Sequence, residues 1–190
     1  QKELNQREQA LAEFEHKTQQ QINAQARMEV GAYLTLIVEP KAATRMGEAK
    51  ALNSVEPRRG IIDRWKGFLG NRKDPQDRVF GPWNTWTQQS DEAFSKAVSD
   101  WIASVSSMDG ARPPFNPLVV KALVEQPPTS KIELAQAYGR LFAQVETQWR
   151  EHRKQKAEET ALPDADAEEL RQSLYAEGAP TNLTVDESKK

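Results

Sequence analysis

The sequence predicts an all-α chain, an irregular helical bundle built on a long antiparallel helical hairpin, about 1–38 with 130–156. Three observations carry this. From Gln1 to Val38 there is no Pro and one Gly, and the apolar residues Leu4, Leu11, Phe14, Ile22, Ala26, Val30, Tyr33, Leu34 and Ile37 fall mostly on steps of three, four or seven, the spacing of one helical face. A second long helical pattern follows the capping-box sequence Ser130-Lys-Ile-Glu133, with Leu134, Ala135, Tyr138, Leu141, Phe142, Val145 and Trp149 on one face. Nowhere does an apolar–polar alternation run long enough to read as a useful strand.

The first helix is expected to be continuous to Val38, where Glu39-Pro40 stops it. Its stripe is thin before Ile22 and broad after it, so the second half enters a core and the first half projects. At about 1.5 Å per residue such a helix spans roughly 55 Å. A thinly striped helix of that length gains its stability by packing, and the helix from Ser130 to about Lys156 is the expected partner, with its charged tail after Trp149 running along the projecting half.

Three shorter helices are expected between the two long ones. Ile61, Ile62, Trp65, Phe68 and Leu69 make the first, with Gly70 as its C-cap. Ala93, Phe94, Ala97, Val98, Trp101, Ile102 and Val105 make the second, capped by Ser90 or Asp91. Asn116-Pro117 opens the third, whose face is Leu118, Val119, Ala122 and Leu123 and which Pro127-Pro128 closes. Ala43 to Val55 reads as a weak helix or an ordered loop. Asp166 can cap a last short helix through Tyr175, and the residues after Gly178 read as a linker. The chain therefore divides into a hairpin and bundle region, 1–160, and a short helix with linker, 161–190, leading toward a following domain. Because Gln1-Lys2-Glu3 already lies inside the helical pattern and no signal-peptide pattern is present, the chain is expected to be a piece of a longer protein.

Composition narrows the function classes. Of 190 residues, 37% are hydrophobic and 28% charged, which is polar for a globule yet insufficient for wholesale disorder. A net charge of -2 supplies no global field for nucleic acid. No apolar run approaches the roughly 20 residues of a membrane-spanning helix. The absence of Cys excludes disulfides, thiolate zinc sites, covalent haem attachment and a Cys nucleophile within the chain.

No complete catalytic, metal or cofactor motif stands out. His16 and His152 lie on polar helix stretches without ligand spacing, although the hairpin would bring them toward each other. Asp63, Asp74, Asp77, Asp100 and Asp109 form no recognisable acid–base frame. Two features can serve binding. One is the basic run Arg58, Arg59, Arg64, Lys66, Arg72 and Lys73, a possible anion surface or an ordinary salt-bridged face. The other is Phe80-Gly-Pro-Trp83-Asn-Thr-Trp86, where Gly81-Pro82 turns the chain and three rings form either an exposed stacking platform or a plug for the core. Phe80, Trp83, Trp86, Arg58, Arg59 and Arg64 are thus the candidate interaction surface.

Taken in order, several segments resemble the middle helical region of the planctomycete-type surface cytochrome c-like multidomain proteins. They are Val30-Gly-Ala-Tyr-Leu34, Ile62-Asp-Arg-Trp65 with Phe68-Leu69, Val79-Phe-Gly-Pro-Trp83, and Pro127-Pro128. Ala137-Tyr-Gly-Arg-Leu-Phe142 with Trp149, and Glu169-Leu-Arg-Gln-Ser-Leu-Tyr175, complete the series, which covers nearly the whole chain. The resemblance implies a segment between larger domains of an exported protein, in a setting of surface redox chemistry or polysaccharide use. Haem in such proteins belongs to a separate domain, and no cofactor is expected in this segment. The expected function is a non-catalytic helical scaffold or interdomain docking segment whose partners are the flanking domains of the same parent chain. The alternatives are a glycan-binding accessory module using the aromatic turn and basic patch, and a coiled-coil dimerisation element.

Overall fold

A computed structural model describes residues 2–41, 58–107 and 114–184. Within these residues there are eight helices and no strand. They are α1 (Lys2–Met28), α2 (Val30–Val38), α3 (Arg59–Gly70), α4 (Gly81–Trp86), α5 (Asp91–Ser106), α6 (Pro117–Glu125), α7 (Lys131–Gln155) and α8 (Ala165–Tyr175). The expected weak helix at Ala43–Val55 lies outside the described residues.

The hairpin is present, but its first arm is two helices rather than one. The chain leaves helical geometry at Glu29, with φ -102° and ψ 15°. The Ala32 N–H then bonds the Glu29 carbonyl at 2.9 Å, a tightened turn that contains Gly31 but no Pro. Just beyond it α2 lies against α7 at a crossing made by two glycines. A Cβ on Gly139 would fall 2.4 Å from the Gly31 Cα, so the backbones approach as closely as they do because neither residue has a side chain. The Arg150 guanidinium donates to the Ala24 carbonyl at 3.0 Å. Residues 31 and 24 therefore meet 139 and 150, which is antiparallel.

This register corrects the expected pairing of the projecting half. Stepping five residues on from Arg150 and five back from Ala24, Gln155 comes level with about Gln19, where α7 ends. The tail of α7 does not reach the start of α1, and every residue from Glu3 to Phe14 is exposed.

The core lies under α2 and α7 and is mainly aromatic. Trp65, Phe80, Trp86, Phe94, Tyr138 and Phe142 are among its largest fully buried side chains. Phe80 stacks on Tyr138 with ring centroids 5.6 Å apart, and meets the Phe68 ring edge-on at 5.7 Å. The Gly81-Pro82 turn is in fact the first turn of the short α4, where Pro fits without loss of a hydrogen bond. A Cβ on Gly81 would strike the Pro75 carbonyl at 2.5 Å and the Phe115 ring at 2.6 Å, so close packing is what requires glycine there.

The caps follow the sequence in part. Ser90, Asn116 and Ser130 cap α5, α6 and α7 with side-chain hydrogen bonds. Glu133 reaches back as expected, but it accepts from the Thr129 N–H at 2.7 Å and the Thr129 hydroxyl at 2.8 Å rather than from Ser130. Asn71 follows α3 as its C-cap, with Gly70 as the last helical residue. Asp164, not Asp166, caps α8.

The described part of the expected linker after Gly178, residues 179–184, is a packed strap. Ala179, Thr181 and Leu183 are buried, and Leu170, Leu174 and Leu183 share the core with α2, α3 and α7. Asn23 holds the strap by a two-way amide pairing, donating to the Leu183 carbonyl at 3.2 Å and accepting from the Leu183 N–H at 3.1 Å. Arg64 donates to the carbonyls of Ala179 and Asn182 at 2.9 and 3.2 Å. The apolar leucines of α8 and the polar clamps of α1 and α3 therefore tie this region to the bundle.

Candidate interaction surface

The residues singled out in the sequence separate into core and surface. Phe80, Trp83 and Trp86 are buried, at 0%, 3% and 0% exposure. They are not a stacking platform. Trp83 meets Tyr138 edge-on at 5.8 Å, and Trp86 meets Phe94 at 6.2 Å and Trp101 at 5.3 Å in the same way. The short α4 turns all three rings inward, which maximises apolar burial at the cost of leaving the Trp86 indole N–H without a hydrogen-bond partner.

The basic run is dispersed by the geometry of α3. Arg58 and Arg59 are exposed where the helix begins, and the backbone of Arg58 bonds the Tyr33 hydroxyl. Burial raises the pKa of that hydroxyl, and the Arg58 contact partly offsets the rise. Arg64 is turned to the strap, as described. Arg72 lies over the Phe68 ring at 4.5 Å. Lys66 and Lys73 face a different part of the surface from Arg64. Arg58, Arg59 and Arg64 are therefore not one patch.

The histidines are not brought together. His16 bonds Gln20 on its own helix at 2.9 Å, whereas His152 bonds Glu159 at 2.6 Å and stacks on Trp149. Among the described residues no group of three or more His, Cys, Asp or Glu side chains is placed to hold a metal ion.

Two polar clusters escaped the sequence reading, since each joins segments distant in the chain. At the junction of α1, α7 and α8, Glu146 is 1% exposed and accepts from Arg150 and from the Tyr175 hydroxyl, both at 2.7 Å. Arg27 lies over the Tyr175 ring at 3.8 Å and Arg171 over the Trp149 ring at 4.3 Å. Burial drives the Tyr175 hydroxyl pKa strongly upward, so it stays a donor to Glu146. At the junction of α6 and α8, the fully buried Asn116 donates to the Asp166 carbonyl and the Glu169 carboxylate, both at 2.9 Å, while Glu169 also pairs with Arg78 at 2.9 Å. These arrangements satisfy buried polar groups and fix register.

Among the described residues, large apolar side chains are most exposed at the start of α1. Leu4, Leu11 and Phe14 are 59%, 58% and 68% exposed, the most exposed large apolar side chains of the described residues. Leu4 and Leu11 stand on the same helical face as Ile22, which packs against the core. The stripe that enters the bundle thus continues onto a segment that no other described element covers. Comparison with known proteins gave no matching family model, no similar curated protein and no similar solved structure.

Proposed function

We propose that the protein is a non-catalytic helical scaffold, and that residues 3–14 of α1 are its docking arm for a neighbouring domain of the same parent chain. The observation that carries this is the exposed continuation, through Leu11 and Leu4, of the face that packs at Ile22. The segment is rich in good helix formers, and Arg7 pairs with Glu3 one turn away at 2.8 Å, so it can hold its helix before a partner arrives.

A magnitude argues for a tethered partner. Burying what remains exposed of three such side chains contributes on the order of 4 kcal/mol. Free association costs about 4–15 kcal/mol. Between separate molecules the stripe alone gives weak binding, whereas a linked domain at roughly millimolar effective concentration can dock. The same arithmetic disfavours a stable homodimer through this arm. The resemblance to the middle region of planctomycete-type surface cytochrome c-like proteins supports a setting between domains of an exported protein, with any haem carried elsewhere in the parent. The glycan-binding alternative loses its stacking surface with the burial of Phe80, Trp83 and Trp86.

A photoreactive residue in place of Phe14 in the full-length parent protein tests the proposal. Cross-links to peptides of a flanking domain are expected. Cross-links to a second copy, or none above those of an exposed α5 control such as Ser99, would contradict it.

A further inference from the structure

Away from the arm, the C-terminal ends of α2, α3 and α4 converge on the first turn of α7. An open cleft of about 500 Å³ lies between them, within the size range of small-molecule sites. Its floor and wall are apolar, formed by Ile37, Val38, Leu69 and Trp83. Its rim carries Lys66, Lys73 and Lys131, and no carboxylate lines it among the described residues.

The lysines come from three separate elements. Lys66 and Lys131 reach Asp63 and Asp91 only at 3.9 Å, and those aspartates are 62% and 92% exposed, so neither cation is neutralised by a tight pair. Lys73 has no ion-pair partner among the described residues. Its loop is nevertheless held in place. The Asn84 side-chain amide donates to the carbonyls of both neighbours of Lys73, Arg72 and Asp74, and the Gln76 N–H closes an Asx turn on Asp74 at 2.8 Å. Lysines near helix C-termini often serve only to balance the helix dipole. Three C-termini contribute at most about -1.5 charges here, and the α7 N-terminus returns about +0.5. Against three full positive charges the helix ends leave an excess, which Asp63 and Asp91, 62% and 92% exposed and 3.9 Å away, screen only in part.

We propose that this cleft binds a small amphipathic anion, with its carboxylate or sulfonate head between Lys66, Lys73 and Lys131 and its apolar body against Leu69 and Trp83. An anion there relieves the mutual repulsion of the three ammonium groups, and its apolar part covers the floor. The site is independent of the docking arm, and failure of either leaves the other standing.

The test is titration of the chain with decanoate and with 1-anilinonaphthalene-8-sulfonate, followed by backbone NMR. Decanol, decyltrimethylammonium and inorganic phosphate are the comparison ligands. Saturable shifts at Leu69, Thr87 and Lys131 are expected for the two amphipathic anions. Decanol and phosphate should bind roughly tenfold more weakly or worse, since each lacks half of the recognition, and the cation should not bind. Lys73→Gln is an exposed change and Lys131→Gln a half-buried one; with the fold checked by circular dichroism, each should weaken binding about threefold to tenfold. Equal binding of decanol and decanoate, unchanged affinity in both variants, or shifts confined to Leu11 and Phe14 would overturn the proposal. Phosphate binding as tightly as decanoate would also overturn it, as a bare anion site.

Discussion

At Gly139 a single hydrogen in place of a side chain sets the distance between the two helices that organise the molecule. Gly139→Ala forces backbone against backbone at Gly31, and the expected loss is about 2–3 kcal/mol in chemical denaturation. Gly67→Ala on the open side of α3, where a Cβ meets nothing, should instead stabilise by roughly 0.5–1 kcal/mol through helix propensity. The pair of variants separates a packing glycine from an incidental one. Tyr138 is a second residue whose chemistry is fixed by its surroundings. Burial pushes its hydroxyl pKa far up, and that hydroxyl donates to the Val79 carbonyl at 2.6 Å. Tyr138→Phe leaves the carbonyl unpaired in the core, with an expected cost of about 1–3 kcal/mol. Glu168, the most buried of the carboxylates held below their usual range, contributes acid sensitivity. Burial raises its pKa, but hydrogen bonds from Arg171, the Leu162 N–H and Gln172 outweigh burial and hold it below the usual range. A depressed folded-state pKa stabilises fully above the unfolded value of about 4.3, and that contribution is lost as pH falls through the folded value. Wild-type stability should therefore drop below about pH 4 more steeply than that of Glu168→Gln, as read by urea melts across pH 3–6.

Among the elements, those with an internal period were legible in the sequence and those defined by distant partners were not. The long faces of α1 and α7, and the caps at Ser90, Asn116 and Ser130, can be read from spacing, because a helix brings residues three and four apart onto one face. The strap at 179–183 could not, because its polar and Pro-containing sequence looks like a linker until Asn23 and Arg64 arrive from α1 and α3. The break at Glu29 likewise carries no Pro, and the one Gly in its turn, Gly31, continues the helical pattern in sequence. The sequence left the rings at 80–86 as either platform or plug for a related reason: they are distinctive in sequence, but their direction is set by α4, which is too short for periodicity to reveal. The strap gives a direct prediction. Asn23→Ala removes both amide bonds to Leu183 and should cost about 1–3 kcal/mol, with faster hydrogen exchange at Leu183 while α5 and α6 keep their protection. For the arm the expectation is the reverse. Leu4→Gln, Leu11→Gln and Phe14→Gln touch exposed positions and should each shift stability by no more than about 0.5 kcal/mol.

For the whole molecule, the features divide between a bundle that is complete in itself and an arm that is not. No helix of the described residues is long and apolar enough to cross a membrane, so the exposed leucines of the arm are not part of a spanning segment. They continue a packing face beyond the point where its partner helix stops. The proposed docking requires this face to be spare in the chain alone and covered in the parent protein. Amide hydrogen exchange of the chain alone and of the full-length parent measures this directly. Expected are fast exchange over residues 3–14 in the chain alone, at protein concentrations up to the millimolar range, slow exchange over α2 and α7, and strong added protection of residues 3–14 in the parent. Equal exchange of residues 3–14 in the two proteins, or protection of the arm in the chain alone that matches α7, would contradict it.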